Sequence, residues 1–196
     1  FQTDGTDDSD ATANKNTLVI TNEAMWDSLR LACENSYESH PEQPRYAYQL
    51  ARLYYARDYN VSAEKYLKIA AEQGDPVAQN TYGNTLNEQG YDGTDWLKKA
   101  AAQGHSGAQN TLGDLYKNGR GVIANPATAA EWYRQAFESS GKAAAQGAVM
   151  AQVQLAEHYY YGTGTDADRD KAREGYQKAA AQGSDKAKQA LQTLNP

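Results

Sequence analysis

The chain contains little of several residue types, and each shortage excludes a class of protein. Its 196 residues include one cysteine, Cys33, so neither an intrachain disulfide nor a multi-cysteine zinc site can form. No apolar run approaches the roughly 18 to 20 residues that a membrane-spanning helix needs. The formal net charge of −6 argues against nucleic acid as a partner, because phosphate binding depends on clustered Lys and Arg. A basic surface on a protein partner remains open.

Tyrosine is the residue type in excess, with 15 Tyr and 3 Trp against only 2 Phe. A tyrosine ring packs in a core while its hydroxyl reaches water or a partner, which suits thin layered structures and binding faces alike. The hydrophobic content of 40% is sufficient for a sizeable core, and the length fits one or two domains.

Composition divides the chain into three segments. Residues 1–17 are acidic and polar, so we expect a flexible tail that cannot bury enough apolar surface to order itself. Residues 18–44 combine a Pro-containing linker with an N-terminal capping helix that begins at Asn22 and has apolar residues at helical spacing: Met25, Trp26, Leu29 and Cys33. Residues 45–196 form a repeat domain that ends in a C-terminal capping helix.

The repeat is marked by the motif Ala-Glu-Gln-Gly or Ala-Ala-Gln-Gly, which ends at Gly74, Gly104, Gly147 and Gly183. Four residues after each marker glycine lies an alanine, and four residues further a large side chain, which is the spacing of one helix face. A second helix precedes each marker and carries an aligned pair of residues with at least one large side chain: Tyr66-Leu67, Trp96-Leu97, Trp132-Tyr133 or Gly175-Tyr176. This self-similarity predicts stacked helix pairs.

Small residues recur inside the first helix of each pair, at Gly83, Gly113 and Ala156. Glycine costs about 1 kcal/mol relative to alanine within a helix, so its presence there predicts a close approach of the paired helix. The marker glycines are predicted to end helices in the left-handed conformation.

Two copies of the repeat carry the most specific motifs. One contains Leu112-Gly113-Asp114-Leu115-Tyr116, then Asn118-Gly119-Arg120-Gly121-Val122, Ala129 and Trp132-Tyr133; the other contains Tyr161-Gly162-Thr163-Gly164-Thr165, Lys171-Ala172 and Tyr176. With these motifs the chain resembles the Sel1-like repeat family, a branch of the tetratricopeptide-like helical repeats, over residues 46–191. The resemblance implies an all-α, right-handed α-solenoid (superhelix) of about four antiparallel helix pairs, with partners commonly held on its concave face.

The spacing of the markers is irregular, at 30, 43 and 36 residues. The short copy has a trimmed loop over residues 87–95, where we expect a different curvature. The long copy has a seven-residue insert at 137–143, which predicts a bulge or an extended helix. The insert is interpreted either as a binding feature or as a tolerated surface insertion.

Few residues suit catalysis or metal binding, so we predict no enzyme activity, no metal site and no cofactor. His40, His105 and His158 lack a carboxylate or a second histidine at metal-ligand spacing. We expect His105 to cap or pack a helix and His158 to be exposed or to contact a partner. Cys33 is expected to be a small buried residue.

Three loop patterns imitate binding motifs. The glycine-rich stretches at 119–121 and 162–165 follow predicted helices and lack the residues of a phosphate loop, so they are predicted to be turns. Asp166, Asp168 and Asp170 resemble the start of a calcium loop, but Lys171 and Gln177 stand where that loop needs Gly and Glu. We expect these acids to begin a helix.

By resemblance to tetratricopeptide repeats, the inner face is lined by defined positions of the first helices. These positions are Gln49, Arg52 and Tyr55; Asn80, Asn84 and Asn87; Asn110, Asp114 and Lys117; and Val153, Glu157 and Tyr160. Asparagine amides suit a clamped peptide backbone, and tyrosines suit anchoring. Solvated helix positions are the alternative reading for any single residue.

The repeats, together with the lack of candidate catalytic residues, predict a non-catalytic module. We expect it to bind a protein or peptide as an adaptor, scaffold or inhibitor. The family resemblance suggests two specific roles for the chain: an immunity protein that neutralises a bacterial effector, or a scaffold of an envelope assembly. A glycan or cell-wall binder using Tyr91, Trp96, Tyr160 and Tyr161 is the alternative from another class. We expect an exported, periplasmic location, with a cytoplasmic one left open. The partner and the oligomeric state do not follow from the sequence.

Overall fold

The structure is a computed structural model that describes residues 23–194, and all regular secondary structure in that range is α-helical. Its ten helices are α1 Glu23–Ser39, α2 Pro44–Tyr55, α3 Asn60–Glu72, α4 Pro76–Glu88, α5 Thr94–Ala102, α6 Ser106–Asn118, α7 Pro126–Ala145, α8 Val149–Tyr161, α9 Arg169–Ala181 and α10 Asp185–Leu194. The predicted tail at 1–17 and the predicted cap residue Asn22 lie outside the described residues. The all-helical prediction is confirmed.

The described residues form two compact units. The N-terminal unit spans 23–103 and contains α1 to α5, and the C-terminal unit spans 104–194 and contains α6 to α10. Within each unit every helix packs against the next one along the chain. No helix between residues 23 and 194 combines the length and apolar character required to cross a lipid bilayer.

Local capping explains where many helices begin. Asp75 accepts a hydrogen bond from the Ala78 backbone N–H at 2.7 Å, and Asn125 caps α7 in the same way. The Nδ1 atom of His105 accepts from the Ala108 backbone N–H at 3.1 Å, as predicted for a capping residue. Asp168 caps the N-terminus of α9 by accepting from the backbone N–H groups of Asp170 and Lys171, as predicted for acids that begin a helix.

The marker motif ends the second helices α3, α5, α7 and α9, and at two of them its glutamine also bonds to the preceding helix. Gly74, Gly104, Gly147 and Gly183 have φ of 94°, 83°, 88° and 99°, which confirms the predicted left-handed ends. In the N-terminal unit, the marker glutamine Gln103 donates to the side-chain oxygen of Gln79 at 2.8 Å. In the C-terminal unit, Gln182 donates to the side-chain oxygen of Gln152 at 2.9 Å.

Close approach at small residues confirms the predicted helix faces. A Cβ atom on Gly93 would lie 1.9 Å from the backbone oxygen of Gly83, so the trimmed loop and α4 touch backbone to backbone. A Cβ on Gly113 would lie 2.5 Å from the ring of Tyr133, which occupies the space that the missing side chain leaves. Ala156 meets α9 at a glycine in the same manner.

The terminal helix α1 packs mainly through polar and aromatic contacts. None of its residues is fully buried, and Met25 and Leu31 are more than half exposed. The Tyr54 hydroxyl donates to Glu34 at 2.6 Å, and the Trp26 ring lies 6.5 Å from the Tyr54 ring. Burial and the Glu34 carboxylate raise the pKa of Tyr54 to about 12. These contacts attach α1 to α2.

The seven-residue insert lengthens α7 without interrupting it. This helix has 20 residues, whereas α9 has 13, so the extended-helix alternative is correct. Seven residues make about two helical turns, so the same face stays buried along the insert. Ala129, Ala136 and Ser140 accordingly lie on the buried side.

Candidate functional site

The predicted inner-face residues of α2 differ in accessibility. Gln49 and Arg52 are exposed, whereas Tyr55 is half-buried against a cluster that contains Tyr48 and Tyr82. Burial raises the pKa of the Tyr55 hydroxyl, because the phenolate would lose its hydration. A partner can reach Gln49 and Arg52, while Tyr55 mainly supports the packing.

The three predicted asparagines of α4 are largely engaged within their own helix pair. Asn80 is only 9% exposed, which corrects the expectation that its amide faces an open groove. Asn84 is half-buried, and its Nδ2 lies 3.5 Å from Oδ1 of Asn80. Asn87 accepts a hydrogen bond from the Gly93 backbone N–H at 2.9 Å and so fixes the trimmed loop. Asn84 and Asn87 are both half-buried, so Asn80 is the least accessible of the three.

In the C-terminal unit, three predicted residues converge on one pocket. Asn110 and Asp114 of α6 and Glu157 of α8 line an open pocket of about 290 Å³. Lys117 is exposed one turn beyond Asp114. Val153 is fully buried, which corrects its assignment to the inner face. The helical spacing therefore identified part of a real concavity.

Tyr160 lies outside the residues that line this pocket. It is half-buried in the core of the C-terminal unit, and its ring meets that of Tyr161 edge to face at 4.8 Å. Tyr161 is 71% exposed and lines the pocket. The neighbouring tyrosine therefore presents the ring that was expected of Tyr160.

Five residues of the pocket were not predicted as inner-face positions: Tyr133, Gln154, His158, Tyr161 and Thr163. Tyr133 comes from the second helix α7, and Thr163 comes from the turn after α8. The sequence contained one signal for Tyr133. Gly113 predicts that a large side chain of the paired helix packs against it. Because Asp114 is the next residue, that side chain must also lie beside Asp114.

The two carboxylates of the pocket each have one defined partner. Oδ1 of Asp114 accepts a hydrogen bond of 2.6 Å from the Tyr133 hydroxyl. Burial and this carboxylate raise the pKa of Tyr133, so its hydroxyl keeps its proton. Glu157 forms an ion pair with Lys186 of α10 at 3.1 Å, and both side chains are partly exposed. The pocket thus has two anionic groups from two helices.

His158 forms a buried part of the pocket wall. It is 3% exposed, which corrects the expectation of an exposed residue. Its Nδ1 lies 2.8 Å from the Thr163 carbonyl oxygen, so Nδ1 carries the proton and donates. Its Nε2 is buried without a hydrogen-bond partner among residues 23–194. Burial lowers the pKa of His158, because the imidazolium would be poorly hydrated, and the ring is neutral at pH 7.

The turn after α8 closes one side of the pocket in a fixed conformation. Gly162 and Gly164 have φ of 67° and 73°, so this stretch is a turn as predicted. A Cβ on Gly164 would lie 2.2 Å from the backbone oxygen of Tyr133, so the turn contacts α7 directly. Close packing on α7 and the His158 bond to Thr163 therefore hold this rim.

The residues proposed for glycan stacking fall in both units. Tyr91 is 67% exposed in the loop before α5, while Trp96 packs edge to face on Tyr82 at 5.5 Å. Tyr160 and Tyr161 belong to the C-terminal unit. Tyr91 and Tyr161 have ring surface accessible to a sugar.

The single cysteine lies where its thiol form is favoured over the thiolate. Burial raises the pKa of the half-buried Cys33 thiol, which lowers its thiolate fraction. Among residues 23–194, no three or more His, Cys, Asp or Glu side chains are grouped so as to hold a metal ion.

Helix pairs joined at marker glycines, with small residues at each crossing, define a helical-repeat protein. The family model of the Sel1 repeat matches residues 44–75, 93–105, 106–140 and 149–184, more than half of the chain. The chain belongs to the Sel1 repeat family. Members of this family are generally protein-interaction modules and not catalysts.

The solved structures that are similar to the chain include the following three. A protective antigen of uropathogenic Escherichia coli strains with an SLR fold is 25% identical over 84% of this chain and 42% of its own, with a TM-score of 0.47. A Sel1 repeat protein from Oxalobacter formigenes is 24% identical over 85% of this chain and 59% of its own, with a TM-score of 0.44. A Sel1 repeat protein from Klebsiella pneumoniae subsp. pneumoniae is 16% identical over 84% of this chain and 98% of its own, with a TM-score of 0.44.

This chain therefore spans 42% and 59% of the length of the first two similar structures. The comparison with curated proteins found no match.

Proposed function

We propose that the chain binds another protein, and that the pocket of the C-terminal unit is a principal contact. The observation that supports this proposal is the convergence of Asn110, Asp114 and Glu157 from two successive first helices on one open pocket. Exposed Lys117 and Tyr161 extend the accessible surface next to these residues. A tyrosine beside polar groups is a typical anchor of a protein interface.

The pocket suits a protein side chain better than a larger free ligand. Its volume of about 290 Å³ lies just below the range that drug-sized ligands occupy, roughly 300 to 1,000 Å³. A single side chain that projects from a partner surface fits such a volume. Gln49, Arg52 and Asn84 of the N-terminal unit are proposed as secondary contacts, since they are at least partly accessible.

Affinity capture with pocket variants tests the proposal. The tagged chain, cross-linked in its native cells, is compared with Asn110→Ala/Glu157→Ala by quantitative mass spectrometry. A matched control, Glu174→Ala/Gln177→Ala, removes an acid and an amide that are exposed on the second helix α9. We expect a protein enriched by the wild type and the control and reduced with the pocket variant. Equal enrichment by all three would overturn the proposed contact.

A second variant separates the contribution of the N-terminal unit. Gln49→Ala/Asn84→Ala changes two accessible polar positions of α2 and α4. We expect a smaller loss of the captured protein than with the pocket variant. The identity of the captured protein would also distinguish an adaptor, an envelope scaffold and an immunity protein.

Glycan binding is the second candidate function, favoured by the exposed ring of Tyr161 at the pocket. A sugar ring stacks on such a face beside hydrogen-bonding amides and carboxylates. Binding of cell-wall fragments that is lost in Tyr161→Ala, with no captured protein, would support this alternative. The exported, periplasmic location stays a prediction, and fractionation of the native cells tests it.

A further inference from the structure

We propose that the pocket of the C-terminal unit receives an arginine side chain from the partner, with Asp114 and Glu157 as the two anionic contacts. This inference rests on the proposed function and adds the chemistry of the group that is recognised. The two carboxylates come from different helices, α6 and α8, and both line the pocket. A cation between them would interact favourably with both charges.

The partners that these carboxylates already have leave acceptor capacity for a guanidinium. The Tyr133 hydroxyl uses one oxygen of Asp114, and a carboxylate offers about four lone-pair sites. Glu157 is paired with Lys186 at 3.1 Å, and 51% of the Lys186 side chain is exposed. Ion pairs between partly exposed side chains are weak, so a better-placed cation can displace the lysine.

The other walls of the pocket favour arginine over lysine. Tyr133 and Tyr161 line the pocket with aromatic rings, on which a planar guanidinium stacks more readily than an ammonium. His158 also lines the pocket, is 3% exposed and has an Nε2 acceptor without a partner among residues 23–194. A guanidinium carries five N–H donors in a fixed plane, which suits the acceptors that Asp114, Glu157 and His158 contribute to the pocket.

The fixed rim makes the site suitable for one side chain without rearrangement of the backbone. The turn at Gly164 contacts the α7 backbone, and Thr163 is bonded to His158. A pre-formed pocket loses little conformational entropy when it is filled. The net charge of −6 also favours a basic partner surface.

Titration with small probes tests this chemistry independently of any partner. Nα-acetyl-arginine amide, the lysine analogue and the neutral, nearly isosteric citrulline analogue are added to the ¹⁵N-labelled chain and followed by NMR. We expect saturable shifts of the backbone amides of Asp114, Glu157 and Thr163 with the arginine probe, weaker shifts with lysine, and none with citrulline. Equal shifts with citrulline, or none with arginine, would overturn the inference.

Charge variants give a second readout with opposite signs. Asp114→Asn/Glu157→Gln keeps the size of both side chains and should weaken binding of the arginine probe about tenfold or more. Lys186→Gln removes the competing cation and should strengthen binding severalfold. Asp166→Asn/Asp185→Asn, two exposed acids outside the pocket, changes the net charge equally and should have little effect. If this control variant weakens binding as much as the pocket variant does, the loss results from the change in net charge and not from the pocket, and the inference fails.

The single variant Glu157→Gln provides the same test if the double variant does not fold. The two proposals also fail separately. Loss of partner capture in the pocket variant without arginine binding would overturn only the guanidinium chemistry. Arginine binding without any effect of the pocket on capture would overturn only the proposed contact.

Discussion

The α4–α5 pair and the α6–α7 pair begin with first helices of 13 residues each, but their second helices have 9 and 20 residues. In both pairs a glycine in the first helix meets the second half of the pair closely, Gly83 at Gly93 and Gly113 at Tyr133. The crossing point is therefore retained while the length beyond it varies. In this chain a repeat accepts a change in the length of its second helix where the crossing stays intact.

The largest expected effect concerns the register of the α7 insert. Deleting residues 137–141 removes five residues and turns the end of α7 by about 140°, since each residue contributes about 100°. Deleting residues 137–143 removes about two whole turns and keeps the buried face. We expect the five-residue deletion to abolish cooperative unfolding of the C-terminal unit, and the seven-residue deletion to fold with reduced stability. Hydrogen exchange of α6 to α10 measures both, and equal protection in the two would contradict the register argument.

The next effect compares the two crossing points. Gly93→Ala places a methyl group against the Gly83 backbone, which cannot rotate away, so we expect a loss of about 3 kcal/mol or more. Gly113→Ala meets the side chain of Tyr133, which can shift, so we expect about 1 to 2 kcal/mol. Urea unfolding followed by circular dichroism gives both values. A greater loss for Gly113→Ala would mean that the side chain is the more rigid obstacle.

The buried histidine makes the C-terminal unit sensitive to acid. Since burial holds the folded pKa of His158 below its ordinary value of 6.5, the unfolded chain binds more protons between these two values. The contribution of His158 to the free energy of unfolding is complete above about pH 6.5, and it decreases as the pH falls through the folded pKa. The slope for one proton is at most about 1.4 kcal/mol per pH unit.

The variant His158→Gln provides the control for this slope. In this variant the free energy of unfolding, measured with urea, should depend less on pH below about pH 6.5. An unchanged pH dependence in the variant would show that other groups cause the slope.

The smallest expected effect is a stabilisation at the insert. Gly141 lies within α7, and the nearest atom to a Cβ added there is Leu155 Cδ1 at 4.0 Å. Gly141→Ala should therefore stabilise the chain by about 0.5 to 1 kcal/mol, because alanine has the higher helix propensity and fits without a clash. A lower unfolding midpoint would show that the insert needs the flexibility of glycine.

The fold was predictable because its signals are local. Marker glycines, capping residues and small residues at the crossings each report a backbone requirement within a few positions, as at Gly74, His105 and Gly113. The register of the first helices, read by resemblance to tetratricopeptide repeats, also predicted inner-face positions for Asn110, Asp114 and Glu157, and all three line the pocket.

The rest of the site was not predictable from spacing, since it depends on how far neighbouring elements reach. Thr163 belongs to a turn, and it joins the pocket because Gly164 packs on the α7 backbone. Asn80 and Val153 occupy inner-face positions by register, but the depth of packing there buries them. Register gives the direction of a side chain and not the distance to the next helix.

The glutamine pairs Gln79–Gln103 and Gln152–Gln182 have a consequence for how such chains grow. Each pair joins a residue of a first helix to the marker that ends the second helix of the same repeat. A copied repeat therefore brings both the donor and the acceptor of this bond with it. Gene duplication of such a segment produces a unit with its own internal connection already complete, and the copy is free to diverge in its loops and exposed positions.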